Sequence, residues 1–253
     1  MHKKNKVGLY SLLTNNILIN NFLIATGLDA KKEMSVGQWR SFKYNSSSSL
    51  QQNAGFSHTD EVDDAIEKVK NKLKEYLKVH APIGSEILDF GCGPGIYMKL
   101  LSNDYKISGV DVSEGMLETA HNLLPESKLY LGNFLNISFK EKYQAIYSIS
   151  VLEYIPVSKV DDFFKKCANN MKEKGLLFIQ YPHALKKIDL FYPDRNYINY
   201  SPAFISKKAS KYFTVLENKQ SYDGRETCEF DTQPYPTNSK TFKNGYLLVA
   251  IKK

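Results

Sequence analysis

From Glu86 to Tyr181 short apolar runs alternate with stretches whose apolar positions recur every three or four residues. The runs Ile87–Phe90, Lys106–Asp111, Lys128–Gly132, Ala145–Ile149 and Leu176–Tyr181 are predicted strands, and Gly95–Ser102, Glu114–Leu124 and Val160–Met171 are predicted helices between them. Strands separated in this way form a parallel sheet with both faces covered by helices. Ahead of the unit, Asp60 caps a segment in which Val62, Ile66, Val69, Leu73 and Leu77 fit a helical period, ending before the turn Pro82-Ile83-Gly84. Behind it, Tyr212–Leu216 and Tyr246–Ile251 are β-rich with no helix between them, which predicts an antiparallel pair at the sheet edge. The expected fold of residues 59–253 is therefore α/β, a seven-stranded, mostly parallel sheet with helices on both faces and an antiparallel terminal hairpin.

Residues 1–58 contribute no strand to this pattern. Leu9, Leu12, Leu13, Ile17 and Ile24 recur at roughly helical spacing, so an amphipathic helix over 7–28 needs an apolar surface to cover. The single tryptophan, Trp39, stands beside Arg40, Phe42 and Tyr44, and the polar tract Asn45 to Asn53 reads as a joining loop. This region is taken as an N-terminal helical extension that closes over the main domain as a lid. Its basic start and apolar run imitate a secretory signal, but Asn15, Asn16, Asn20 and Asn21 interrupt the run, and no stretch approaches the roughly 20 apolar residues of a membrane span. A cytoplasmic protein with no membrane association is the expectation.

Composition changes this picture little. The chain of 253 residues is 42% hydrophobic, enough for a full core, and its charge of +7 comes from lysines scattered mostly as pairs, the pattern of solvated helix faces. Cys92, Cys167 and Cys228 are widely spaced and lack neighbouring histidines, so reduced thiols are expected and no metal site.

The chemistry concentrates in Ile87-Leu88-Asp89-Phe90-Gly91-Cys92-Gly93-Pro94-Gly95, where three alternate glycines turn the first strand into its helix. Such glycines take special dihedrals and let the backbone approach a ligand, and the loop sits at the carboxyl end of a strand beside the topological switch point. The second strand ends at Asp111, an acid able to accept bonds from both hydroxyls of a ribose. Loop and acid together specify a nucleoside cofactor. A dinucleotide-binding domain shares them, but here the spacing is G-x-G-x-G, Asp89 precedes the first glycine by two, and a reversed hairpin closes the chain.

In these residues and their order the sequence resembles the class I S-adenosylmethionine-dependent methyltransferases, over roughly residues 60 to 253. The resemblance implies S-adenosyl-L-methionine as cofactor. Asp89 would hold its methionine portion through water or the amino group, with the backbone of Gly91, Cys92 and Gly93 along it. Asp111 would bind the ribose, with Val112 and Met116 against the adenine. Gly132-Asn133-Phe134 stands where the family often has an Asp for the adenine amino group; Asn133 keeps a side-chain oxygen for that bond, and Phe134 lies beside it. Ser148 to Tyr154 matches the segment after the fourth strand, which in the family often ends L-E-H; Tyr154 replaces the His, and Ile149 is assigned to the cofactor side.

For the acceptor, the sequence lacks an N-P-P-Y or D-P-P-Y tetrapeptide and a Pro-Cys nucleophile, which argues against a nucleic-acid base. Tyr154, Glu153 and His183 are the candidate catalytic residues, His183 gaining from an ordinary pKa suited to proton transfer at neutral pH. The family places acceptor pockets in N-terminal helices and in insertions after the fifth strand, here residues 183–206. That segment includes the aromatic-rich Leu190 to Phe204, suited to a sugar or small aromatic ring. The expectation is a methyltransferase acting on a hydroxyl or amine of a small molecule, with methylation of RNA or protein, and non-catalytic cofactor binding, as the rivals. Whether it works as a homodimer is left open.

Overall fold

The computed structural model describes residues 59–182, 200–220 and 245–253. The predicted helix over 7–28, Trp39, Cys228 and His183 lie outside them, as do residues 1–58 and most of 183–206. In chain order the elements are α1 (Thr59–His80), β1 (Glu86–Phe90), α2 (Ile96–Leu101), β2 (Lys106–Asp111), α3 (Glu114–Leu123), β3 (Lys128–Leu131) and β4 (Tyr143–Ile149). They continue with α4 (Val160–Asn170), β5 (Met171–Pro182), α5 (Pro202–Ala209), β6 (Phe213–Gln220) and β7 (Gly245–Lys252), with short 3-10 turns at Phe134–Asn136, Leu152–Tyr154 and Val157–Lys159.

The strands form one seven-stranded sheet in the order β3-β2-β1-β4-β5-β7-β6. β3 to β5 run parallel, while β7 lies antiparallel to both β5 and β6. The expected architecture is present, hairpin included. Because the chain builds β1, β2 and β3 outward and then returns to lay β4 on the other side of β1, the loops after β1 and β4 leave the sheet in opposite directions. A crevice opens between them at the carboxyl edge.

Alternation along each strand sends side chains to two apolar layers. Ile87, Ala145, Tyr147, Phe178 and Val249 pack with Leu73 and Leu77 of α1, Met98 of α2 and Leu117 of α3. Leu88, Ile146, Leu177, Ile179 and Leu248 pack with Phe163, Phe164 and Cys167 of α4 and Ile205 of α5. Every strand in the middle of the sheet is thus covered on both faces, which is why its sequence reads as a continuous apolar run.

Two features depart from the sequence reading. β5 starts at Met171, not Leu176, because Met171 already pairs with Tyr143 while Leu176 pairs with Ala145. The residues between bulge out through Lys174 at φ 57°, and the polar Lys172-Glu173-Lys174 hides the early pairing from a hydrophobicity pattern. The second is α5, capped by Ser201, whose side chain accepts from Phe204 N, and started by Pro202 at its first turn. Tyr200 and Phe204, expected in an aromatic acceptor wall, instead stack on each other with ring centroids 5.5 Å apart, and Tyr200 is buried. Their rings anchor α5 to the sheet layer.

Phe163 sits at the centre of the α4 layer, its ring 5.3 Å from Phe90, 5.8 Å from Phe134 and 5.2 Å from Phe164. Phe163→Ala should lower stability by about 3–5 kcal/mol in urea unfolding, as for other buried aromatic truncations. A loss below about 1 kcal/mol would show that this layer contributes little.

Candidate active site

All three motif glycines adopt left-handed backbone: Gly91 at φ 74°, Gly93 at φ 50° and Gly95 at φ 86°. At Gly91 space also forbids a side chain, since a Cβ would come within 2.3 Å of Val151 Cγ2. Gly91 N and Cys92 N both donate to Val110 O, which fastens the loop to the end of β2. Gly93 N then donates to Asp111 Oδ2 and Ser113 N to Asp111 Oδ1, each at 2.9 Å. Ser113 also caps α3 through its Oγ, which accepts from Met116 N.

The crevice is a cavity of about 980 Å³. Asp89, Gly91, Cys92, Gly93, Asp111, Val112, Met116, Asn133, Phe134 and Ile149, assigned to the cofactor from sequence, all line it, as does Tyr154. Glu153 does not: it turns inward behind Tyr154, 5% exposed, with Oε2 lacking any hydrogen-bond partner. Asn133 Oδ1 already accepts from Leu135 N at 3.0 Å, so a bond to a ligand would use its second lone pair. Among the described residues no group of three or more His, Cys, Asp or Glu is placed to hold a metal ion.

Sequence reading missed several lining residues. Val151, the wall behind Gly91, lies inside the matched stretch Ser148 to Tyr154 but was given no role there, and Ile155, whose carbonyl accepts from the Tyr200 hydroxyl, lies just beyond it; the two become neighbours of the loop only through the turn after β4. Ser150 is held at φ 55° by bonds from its N to Gln180 O and from its Oγ to Gln180 Oε1. Cys92 and Cys167 are free, buried thiols whose pKa burial pushes well up, which suits packing and not nucleophilic attack.

Electrostatically the site is acidic at its base. Asp89 is 3% exposed, and burial pushes its pKa up to about 8, with the nearby Asp111 charge adding to the rise. The Tyr147 hydroxyl lies against Asp89 and offsets part of this, yet its geometry falls short of a full hydrogen bond and Tyr147 Oη has no partner. Asp111 is raised by burial too, opposed by the N–H bonds of Ser113 and Gly93. Burial alone lifts Glu153 to about 8.

Strand order, switch-point crevice, left-handed glycine loop and a cavity-lining acid at the end of β2 define the class: an α/β fold of the methyltransferase type. Residues 87–175 match the family model described as a methyltransferase domain. The chain is 29% identical over 126 residues to trans-aconitate 2-methyltransferase of Afipia carboxidovorans, covering 49% of this chain and 47% of that enzyme. It is 25% identical over 158 residues to carboxy-S-adenosyl-L-methionine synthase of Campylobacter fetus subsp. fetus, covering 57% and 67%. The matched stretch spans between 24% and 67% of the length of such curated relatives. Geranyl diphosphate C-methyltransferase of Streptomyces coelicolor A3(2), solved with S-adenosyl-L-homocysteine, shares the fold with a TM-score of 0.64 at 14% identity, over 89% of this chain and 98% of that one. No helix among the described residues is long and apolar enough to cross a membrane.

The raised Glu153 pKa gives a stability test. Its ordinary value is 4.5 and its folded value about 8, so the folded state keeps the proton longer than the unfolded chain. The stability this gives is fully present below about pH 4 and is lost as pH rises towards 8, at about 1.4 kcal/mol per pH unit. Glu153→Gln should flatten the decline of wild-type stability between pH 5 and 8 by that slope, measured by urea unfolding at several pH values. Parallel pH curves for the two proteins would mean that Glu153 is ionised in the folded state.

Proposed function

We propose that the protein is an S-adenosylmethionine-dependent methyltransferase that transfers the methyl group to a hydroxyl or amine of a small molecule. The observation that carries this reading is the convergence of the glycine loop, Asp89 and Asp111 on one cavity that continues past them to Tyr154, Ile155 and Lys159. Cofactor residues and room for an acceptor share one space.

The residues fit the cofactor. A Cβ on Gly93 would meet nothing within 4 Å, so the loop presents bare backbone to open cavity, and the surrounding donors and acceptors suit an amino acid joined to a nucleoside. Asp89 would hold the ammonium group. Asp111, each oxygen already accepting one backbone N–H, keeps a lone pair on each for the ribose hydroxyls. Val112, Met116 and Phe134 would flank the adenine, with Asn133 at its edge. When bound, S-adenosylmethionine supplies a methyl group on an electrophilic sulfonium.

The chain's own part is to align the acceptor with that methyl group and exclude water. Tyr154 lines the cavity and is the described residue suited to hold or move the acceptor's proton. Residues 1–58 and 183–206 are assigned to the acceptor side. In support, Tyr200 at the end of the second segment bonds to the carbonyl of Ile155, a lining residue. Relatives and fold neighbours are named for trans-aconitate and for geranyl diphosphate, which favours a small acceptor over a macromolecule.

Calorimetry tests the cofactor: S-adenosylhomocysteine should bind and NAD should not, and the reverse pattern would overturn the assignment. Asp111→Ala should weaken S-adenosylhomocysteine binding at least about tenfold, since two charge-assisted bonds are lost. An unchanged dissociation constant in the folded variant would put the ribose elsewhere. Screening metabolite pools for S-adenosylhomocysteine release addresses the acceptor; turnover with RNA or protein alone would sink the small-molecule half of the proposal.

A further inference from the structure

Five positions stand in one row across the sheet: Gly109 on β2, Asp89 on β1, Tyr147 on β4, Phe178 on β5 and Val249 on β7. Register-paired positions project to the same face, so their side chains are neighbours. Phe178 and Val249 are buried and apolar, as a row beneath helices should be. Tyr147 is equally buried, but its Oη is shut off from solvent without a hydrogen-bond partner. A phenylalanine would fill that space and leave no hydroxyl unsatisfied, so packing does not account for the tyrosine.

The neighbour that hydroxyl lies against is Asp89, a cavity-lining acid. On the other side of Asp89, a Cβ on Gly109 would meet Cys92 Sγ at 2.7 Å and Met98 Sδ at 2.8 Å, so two sulfur groups fill the row there. Asp111 from β2 is the charged group that bears on Asp89, while Cys92 from the glycine loop and Tyr97 from α2 stand near Tyr147. α1 and α3 bring Leu73, Leu77 and Leu117 to this face, none of them titratable.

We infer that Tyr147 is a positioning residue of the cofactor site: its hydroxyl donates to Asp89 and holds that side chain as the carboxylate that meets the cofactor's ammonium group. The inference rests on the S-adenosylmethionine reading of the cavity. Ionising Asp89 supplies a charged acceptor, and a charge-assisted bond is shorter and stronger than a neutral one, so it draws in a hydroxyl that now lies just outside bonding geometry. Against this donor work burial and the Asp111 charge, which together hold the Asp89 pKa at about 8. Near neutral pH the acid is therefore mostly protonated, and each proton it keeps opposes binding of a cation. The sign follows: affinity is full above about pH 8 and falls up to tenfold per unit as pH drops below it. Without the Tyr147 donor ionisation is harder, and the break moves to higher pH.

The experiment is calorimetric titration of wild type, Tyr147→Phe and Asp89→Asn with S-adenosylhomocysteine at pH 6, 7, 8 and 9. Wild type should bind more tightly as pH rises to 8. Its binding at pH 7, measured in buffers of different ionisation enthalpy, should release close to one proton. Tyr147→Phe should bind about tenfold more weakly at pH 7, with the gap closing towards pH 9. Asp89→Asn should show neither proton release nor pH dependence between 6 and 8. A Tyr147→Phe variant with the wild-type profile, or one weakened equally at every pH, would overturn the inference and leave the cofactor reading intact. Wild-type binding without proton release would also overturn it. Absence of wild-type binding at every pH would instead overturn the cofactor reading itself.

Discussion

The carboxylate of Asp111 accepts from Gly93 N on one oxygen and from Ser113 N on the other, and the carboxyl edge of the sheet is organised around that pair of hydrogen bonds. One acceptor group ties the loop after β1 to the entrance of α3 after β2. The tie has a precondition in the sheet, because the loop is also fastened through Gly91 N and Cys92 N to Val110 O, which depends on the register of β1 against β2. Loop conformation, helix cap and strand register are therefore coupled. A carboxylate bonded to backbone N–H groups keeps its charge more readily than burial alone would allow, and here that partly offsets the upward shift.

Asp89 shows the opposite balance. It sits one strand away, at the switch point, with burial and the Asp111 charge both opposing ionisation and only an imperfectly placed hydroxyl in support. Two acids at neighbouring strand ends thus have different tasks written into their surroundings: one is clamped and structural as well as cavity-lining, the other is left electrostatically unsatisfied. An unsatisfied buried acid is costly for stability, and such costs gather where a protein binds a charged partner. Ser150 belongs to the same edge, a non-glycine residue in left-handed backbone held by two bonds to Gln180 as the chain turns out of β4. The strain directs Val151 against Gly91, so the two loops that bound the crevice are fitted to each other.

Much of this was determined by sequence alone. Alternating apolar runs and helical periods gave the strands and helices between Glu86 and Tyr181 to within one or two residues, the start of β5 apart, because strands covered on both faces must be apolar throughout and helices covered on one must be amphipathic. The glycine triplet, Asp89 and Asp111 were legible because left-handed backbone admits few residues but glycine, and because an acid at a strand end has few other reasons to be there. The terminal hairpin followed from two β-rich runs with no helix between them.

Only the tertiary structure decided the rest. Glu153 and Tyr154 are adjacent in sequence, yet the turn after β4 points Tyr154 into the cavity and buries Glu153 behind it, a division that depends on backbone direction and not on residue type. Tyr200 and Phe204 read as members of an aromatic wall, and the fold stacks their rings on each other and buries Tyr200, since the neighbours of an aromatic ring choose its packing. Tyr147 read as one more strand residue; its place beside Asp89 comes from the pairing of β1 with β4, brought together across more than fifty residues of chain. Local pattern fixes which backbone each segment prefers, but the partner of a side chain is set by strand order and register, and those are properties of the whole sheet.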